Sequence, residues 1–339
     1  MIFVVGSSRS GTTMMGRILG GHSKIFTFGE LHFIEQLVGL EEFAENPIWS
    51  QGKAQLVMER LLTRSREGFF AGFRPGHYEA DARDIVKQSS DIRPVELYSA
   101  FMFHEATRAG RRRPCEQTPR YLFSSREILR AYPDARIINM IRDPRDVVLS
   151  QRSKWRRRFL GGASIPLVEA IRAWCNYHPW LVSRLWASCV GYARTIEGDR
   201  FISVRFEDLV VAPDSEIRKI CEFLNIEFEG DMLNTLQVGS SAASDAVGKK
   251  GINSGRAQAW KDSGMSVRNR LLCEWVCGAE MDRLGYSDLL SNGRFSFSVV
   301  PSLFILPIKI ILAMCFNMNR YKRTFSSLKR RFFGEIGVI

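Results

Sequence analysis

The feature that most limits what this chain can fold into lies at its start. Ile2-Phe3-Val4-Val5 is an unbroken apolar run that passes straight into Gly6-Ser7-Ser8-Arg9-Ser10-Gly11-Thr12-Thr13. From Thr12 to about Leu19 the pattern suits a helix, which Gly20-Gly21 closes. A strand apolar at every position is buried on both faces, as in a parallel sheet covered by helices. A glycine loop between such a strand and a helix lets the backbone approach an anion. Several N–H groups and the positive end of the helix then point at it. A triphosphate-binding loop of the form G-x-x-x-x-G-K-[ST] would need a lysine where Thr12 stands. The cation comes earlier, at Arg9, which suits a single phosphate or sulfate group. Ser8, Arg9, Ser10, Gly11, Thr12 and Thr13 are thus candidate anion-binding residues, with an ordinary strand–turn–helix as the alternative.

Ile25–Phe28, Arg136–Ile141 and Phe201–Phe206 read as further strands. Asp143-Pro144 opens a helix that contains Ser150, and proline suits the first helical turn. Residues 166–195 read as one long helix rich in tryptophan. Trp174, Trp180 and Trp186, six apart, are expected in the core. Another helix ends at Leu224 and a last one near Leu284. Strands alternating with helices predict an α/β fold, P-loop-like and three-layered around a central parallel sheet. Residues 31–110 are mostly helical in pattern, with a loop-like stretch at 72–77, and are expected to form an insertion that shapes the acceptor site.

Among 339 residues, 45% are hydrophobic and 25% charged, which excludes a disordered, collagenous or polytopic membrane chain. The net charge of +12 points to anionic partners. Seven scattered cysteines without a C-x-x-C pair argue for a reducing compartment, and Cys273 and Cys277 read as core residues rather than metal ligands. The opening MIFVVG has neither a basic leader nor a long apolar core, so the chain is expected to begin at Met1 in the cytoplasm.

Glu30 follows Arg9 by twenty-one residues and sits at the end of the second predicted strand. In a parallel sheet the strand C-termini form the ligand crevice, so this carboxylate is placed to act as a general base beside the anion loop. His32 and Glu35 are near enough to orient it or to contact an acceptor; a solvated strand cap is the plainer alternative. Arg142 ends the RIINMI run and Ser150 lies two helical turns further on, so both can hold one phosphate. Arg-Asp-Pro-Arg-Asp reads equally well as a salt-bridged helix start.

Together these pieces resemble the sulfotransferases that use 3′-phosphoadenosine 5′-phosphosulfate (PAPS), closest to the glycan and tyrosylprotein branch and its bacterial relatives. VVGSSRSGTTMM looks like that family's 5′-phosphosulfate site, and ARIINMIRDPRDVVLSQ like its 3′-phosphate site, with Arg142 and Ser150 as the anchors. GELHF looks like the catalytic segment, which makes Glu30 the base that activates the acceptor and His32 its neighbour. CEQTPRY, RFEDLV-x-x-P and CEFLNI are similar to further family segments. KKGINSGRAQAWK resembles the late loop that closes over the nucleotide, so Lys250, Ser254 and Arg256 are candidate contacts. The resemblance covers roughly residues 2–287 in ordered pieces. It implies metal-independent transfer of a sulfuryl group to a hydroxyl or amine, with release of 3′-phosphoadenosine 5′-phosphate (PAP). One residue departs from the pattern: Gln117 stands where the family carries a lysine, leaving Arg9 or Arg120 to supply the charge.

Arg111–Arg113 and Lys154–Arg158 are compact basic runs, read either as contacts for an acidic acceptor or as solvated surface. Phe295–Phe316 is dominated by apolar residues, interrupted by Pro301, Pro307 and Lys309, and a basic tail follows. The expectation is a sulfotransferase domain over 1–290 and an extension, 291–339, that meets an anionic membrane on its cytoplasmic side through 295–331. With a basic tail and the catalytic domain on one side, an interfacial or re-entrant segment is favoured over a span. A glycan, glycolipid or peptide hydroxyl is the expected acceptor, with no nucleic acid partner. The competing classes are a P-loop kinase-like enzyme and a non-catalytic membrane-surface scaffold.

Overall fold

The computed structural model describes residues 1–159, 165–235, 250–253, 255, 257–262, 264–286, 288–290 and 294–321. Five parallel strands, β1 (Ile2–Gly6), β2 (Ile25–Thr27), β3 (Arg113–Glu116), β4 (Arg136–Ile141) and β5 (Phe201–Arg205), form one sheet in the order β2-β3-β1-β4-β5. The first half of the chain carries α1 (Thr12–Gly20), α2 (Leu40–Glu45), α3 (Gln51–Glu67), α4 (Glu79–Gln88), α5 (Pro94–Arg108) and α6 (Ser125–Ala131). Then come α7 (Pro144–Arg152), α8 (Leu167–Cys175), α9 (Pro179–Ala193), α10 (Phe206–Val211), α11 (Pro213–Leu224), α12 (Val267–Arg283) and α13 (Val300–Tyr321).

Alternation along β1 sets the layers. Phe3 and Val5 face a core shared with α2–α6, whereas Ile2 and Val4 face one shared with α1 and α11. A third cluster, around Trp186, Val147 and Cys277, joins α7, α9 and α12 beyond the end of β4. Register pairs Gly6 with Met140 and Phe3 with Glu116, so the ends of β1, β3 and β4 open on the same edge.

The strands read from the apolar runs are β1, β2, β4 and β5. β3 was not among them, since RPCE is short, charged and contains Pro114. Pro114 falls before the β1 ladder begins at Cys115, so its missing N–H costs no bond to β1. The single helix expected over 166–195 is two, α8 and α9. Pro179 opens the second, and the His178 ring accepts from Trp180 N at 3.2 Å. That break separates the tryptophans: Trp186 is buried as expected, but Trp174 is 51% exposed. Cys273 and Cys277 are buried in the core.

Candidate active site

The glycine loop is held by backbone geometry that only certain residues allow. At Gly6, with φ +142°, a Cβ would lie 2.4 Å from the Met140 carbonyl oxygen, so glycine lets β1 end tight against β4. At Gly11, with φ +97°, it would lie 2.6 Å from the Phe206 ring. Arg9 takes φ +77°, a strained conformation for a long side chain, of the sort retained at functional sites. Ser10 is fully buried and its Oγ has no partner among the described residues. α1 starts at Thr12 with no side-chain cap and no acidic residue in its first turn. The uncapped start of α1, a buried hydroxyl and Arg9 are together able to seat an anion.

β4 delivers the second group of residues. Arg9 Nε donates to Ser150 Oγ at 2.9 Å, so the loop after β1 and the helix after β4 are joined at the residues singled out from sequence. Arg142 lies beside them. It reaches the Arg9 carbonyl at 3.5 Å and Asp146 at 3.3 Å, and its guanidinium lies 4.3 Å from the Phe206 ring centroid. Trp186 Nε1 fixes the Arg142 carbonyl at 2.8 Å. The RFEDL segment has a structural part here: Glu207 accepts from Asp143 N at 2.9 Å, and Asp143 caps α7 through Arg145 N.

Beyond β2 the chain turns through His32, at φ +52°, into a short π-helical stretch, Phe33–Val38. His32 bridges two carboxylates, with Nε2 3.0 Å from Glu30 and Nδ1 3.1 Å from Glu35. Burial would depress the imidazole pKa, but the two hydrogen bonds and charges raise it, so the ring is held as the cation and donates to both. At Glu30, burial would raise the pKa. The His32 hydrogen bond and charge, followed by the charges of Lys154 and Arg120, instead hold it down to about 2. The Glu30 side chain is nonetheless 46% exposed, so this carboxylate feels several cations while still open to solvent.

The backbone of this turn is clamped from β3 onward. Glu116 Oε1 accepts from Leu31 N at 3.2 Å, Thr118 Oγ1 from His32 N at 3.5 Å and the Tyr121 hydroxyl from Ile34 N at 3.2 Å. Arg64, on α3, donates to the Leu31 carbonyl at 2.7 Å. The CEQTPRY segment is therefore the cradle of the Glu30 turn. Its Glu116, Thr118 and Tyr121 have roles that sequence reasoning missed while attending to Gln117. The Gln117 side chain lies against Gly16 and lines a cleft of about 700 Å³ with Thr13, Arg17, Gly29 and Lys250. Lys154 was also missed, hidden in a basic run; it follows Ser150 by four residues and acts electrostatically on Glu30. In the other run, Arg111 and Arg113 bind backbone carbonyls at His22 and Leu224, which accounts for them structurally. Ser254 and Arg256 lie outside the described residues.

A sequence profile of the Sulfotransferase family matches residues 2–230. The chain belongs to that family. Over 238 residues it is 23% identical to protein-tyrosine sulfotransferase 1 of Danio rerio, covering 69% of this chain and 55% of that protein. Over 138 residues it is 28% identical to sulfotransferase 2A1 of Macaca fascicularis, covering 37% of this chain and 46% of the other. The chain thus spans about half the length of these curated relatives. Among solved structures, the sulfotransferase domain from the curacin biosynthetic pathway superposes with a TM-score of 0.50 at 19% identity, over 85% of this chain and 98% of the other. The sulfotransferase domain of the Synechococcus PCC 7002 olefin synthase gives 0.50 at 21%, over 85% and 95%. These two share the sulfotransferase fold with this chain. The family match ends before the late loop and before α13.

Proposed function

We propose that the protein moves a sulfuryl group from PAPS to a hydroxyl, or an amine, of a glycan or glycolipid acceptor and releases PAP. The observation that carries this reading is the span 150–154. At one end Ser150 binds Arg9 of the anion loop, and at the other Lys154 acts on Glu30. The donor set suits a ligand with two separate anionic groups. Ser10 Oγ, the uncapped start of α1 and Arg9 would hold the 5′-phosphosulfate, while Arg142 and Ser150 would hold the 3′-phosphate. PAPS supplies the activated sulfuryl group and a stable phosphate leaving group.

The residues of this chain do the rest. The acceptor oxygen bonds to sulfur in line with the breaking sulfur–oxygen bond to the 5′-phosphate, and its proton passes to Glu30. A carboxylate of pKa about 2 is a weak base, but the hydroxyl becomes strongly acidic as its oxygen bonds to sulfur, so a late transfer suits it. Arg9 and the loop N–H groups take up charge on the leaving phosphate, and no metal is needed for that step. Lys154 and Arg120, whose charges act on Glu30, would supply the cation missing at Gln117. The same reading makes the protein cytoplasmic and peripheral at the membrane through 295–331.

Glu30→Gln should lower kcat for transfer from labelled PAPS by about 10²–10⁴-fold and leave PAP affinity within about threefold. Equal loss of PAP binding would make Glu30 a structural residue and sink the assignment.

A further inference from the structure

α13 has an unusual relation to the rest of the molecule. From Pro301 to Asn317 none of its residues is buried, and Phe304, Ile308 and Ile311 are at least 60% exposed. The half-buried residues include Ser302, Leu306, Lys309, Ala313 and Asn317, spaced four, three, four and four, which is one helical stripe. That stripe meets α8 and the turn after it. The Ser302 carbonyl accepts from His178 at 3.0 Å, Lys309 donates to the Trp174 carbonyl at 3.1 Å, and Asn317 donates to Asn176 at 2.9 Å. These ties run along about 22 Å of helix, so α13 lies side-on against the catalytic fold rather than projecting from it.

α8 continues the apolar surface. Its Leu167, Val168, Ile171 and Trp174 are exposed, and so is Phe159 just before it. The one charge in the middle of α13 is drawn inward, with Lys309 Nζ 3.5 Å from the Trp174 ring centroid. A soluble monomer rarely leaves so large an apolar surface uncovered. The flanks identify what covers it: besides Lys309, residues 291–339 hold seven basic side chains and one acidic, which complements an anionic surface. We infer that α8 and α13 together form a platform that lies flat in the surface of an anionic lipid bilayer. This rests on the membrane contact proposed above and extends it to α8, an element of the catalytic fold. The platform adjoins the reaction centre, because Lys154, which acts on Glu30, and exposed Phe159 are the two ends of one short 3₁₀ helix packed against α8. Those ends are about 10 Å apart along the helix.

Flotation of the full chain with vesicles of phosphatidylcholine and phosphatidylglycerol tests the inference, with phosphatidylcholine alone as the comparison. The chain should float with the anionic vesicles, and Ile311→Asp and Ile171→Asp should each lower partitioning about tenfold or more. The Ile171 variant is decisive, since a helix that crossed the bilayer would be indifferent to it. Flotation of Ile171→Asp at the level of the unmodified chain overturns the platform, as does a chain that stays with the load. A dimer that the aspartates dissociate, without flotation, assigns the face to a second copy instead. Should either variant fail to fold, quenching by lipids brominated at acyl carbons 6 and 7 gives the same answer. Part of the tryptophan quenching must vanish in Trp174→Phe, and quenching that is unaltered overturns the proposal. PAP-induced thermal shift, recorded alongside, reports the nucleotide reading separately: its absence sinks PAPS binding and leaves the flotation result standing.

Discussion

Glu30 and Glu116 end neighbouring segments of the sheet edge, yet their surroundings drive their protonation apart. Burial pushes both pKa values up. At Glu30 the imidazolium of His32 overcomes it and holds the group at about 2; at Glu116, fully enclosed, the hydrogen bonds from Thr118 and Leu31 N do not, and it stays at about 8. At neutral pH the first is therefore a half-exposed carboxylate and the second a buried carboxylic acid. Such divergence fits the role of base proposed for Glu30. His32 is the hinge of the arrangement, and its titration is the direct check. Its NMR midpoint should lie above the ordinary 6.5, and Glu35→Gln should bring it down by removing one of the two carboxylates. The folded-state value is raised, so His32 contributes stability fully below pH 6.5 and loses it as pH rises through the folded value. Glu30, lowered from 4.5, contributes above pH 4.5 and loses that contribution as pH falls toward 2. The two contributions overlap fully only between those limits. A midpoint at or below 6.5 would refute the doubly bonded imidazolium.

At the level of elements, the segment from β3 to Tyr121 works as a clamp on the turn after β2. Thr118→Val removes the acceptor for His32 N and should cost about 0.5–1.5 kcal/mol in urea unfolding. If the clamp serves to place Glu30, kcat falls while PAP affinity holds; a variant with unchanged kcat would make the clamp structural only. This part of the site was poorly legible. The anion loop could be read because glycine, arginine and serine at fixed offsets state their chemistry in the letters, and Arg142 and Ser150 follow an apolar strand that announces itself. The clamp consists of hydrogen bonds between residues some 85 positions apart, which sequence order does not display. β3 was invisible for a different reason: a four-residue strand with an arginine and a proline carries no apolar period. The broken α8–α9 segment was the reverse case, where a continuous apolar pattern outweighed the signal of Pro179. Trp174, expected in the core, was thereby left on the outer face of a separate short helix.

Across the whole molecule, the sheet gathers the ends of β1, β3 and β4 on one edge, which joins Arg9 of the anion loop to Ser150 after β4 and the Glu30 turn to Glu116 of β3. α13 stands apart from that convergence. It packs on α8, whereas the anion loop is set by β4, α7 and α10. The two should therefore separate in their effects. A chain ending at residue 294 should keep the stabilisation by PAP, about 2.7 kcal/mol at a hundredfold excess over Kd, because it retains every residue proposed to hold the nucleotide. Arg142→Ala in the full chain should lose most of it, since that side chain is one of the two cations at the seat and also packs on Phe206 beneath Gly11. Thermal unfolding of both proteins with and without PAP distinguishes the cases. If truncation abolishes the shift while Arg142→Ala preserves it, the nucleotide does not occupy the β1–β4 edge, and the division at about residue 290 is wrong as well.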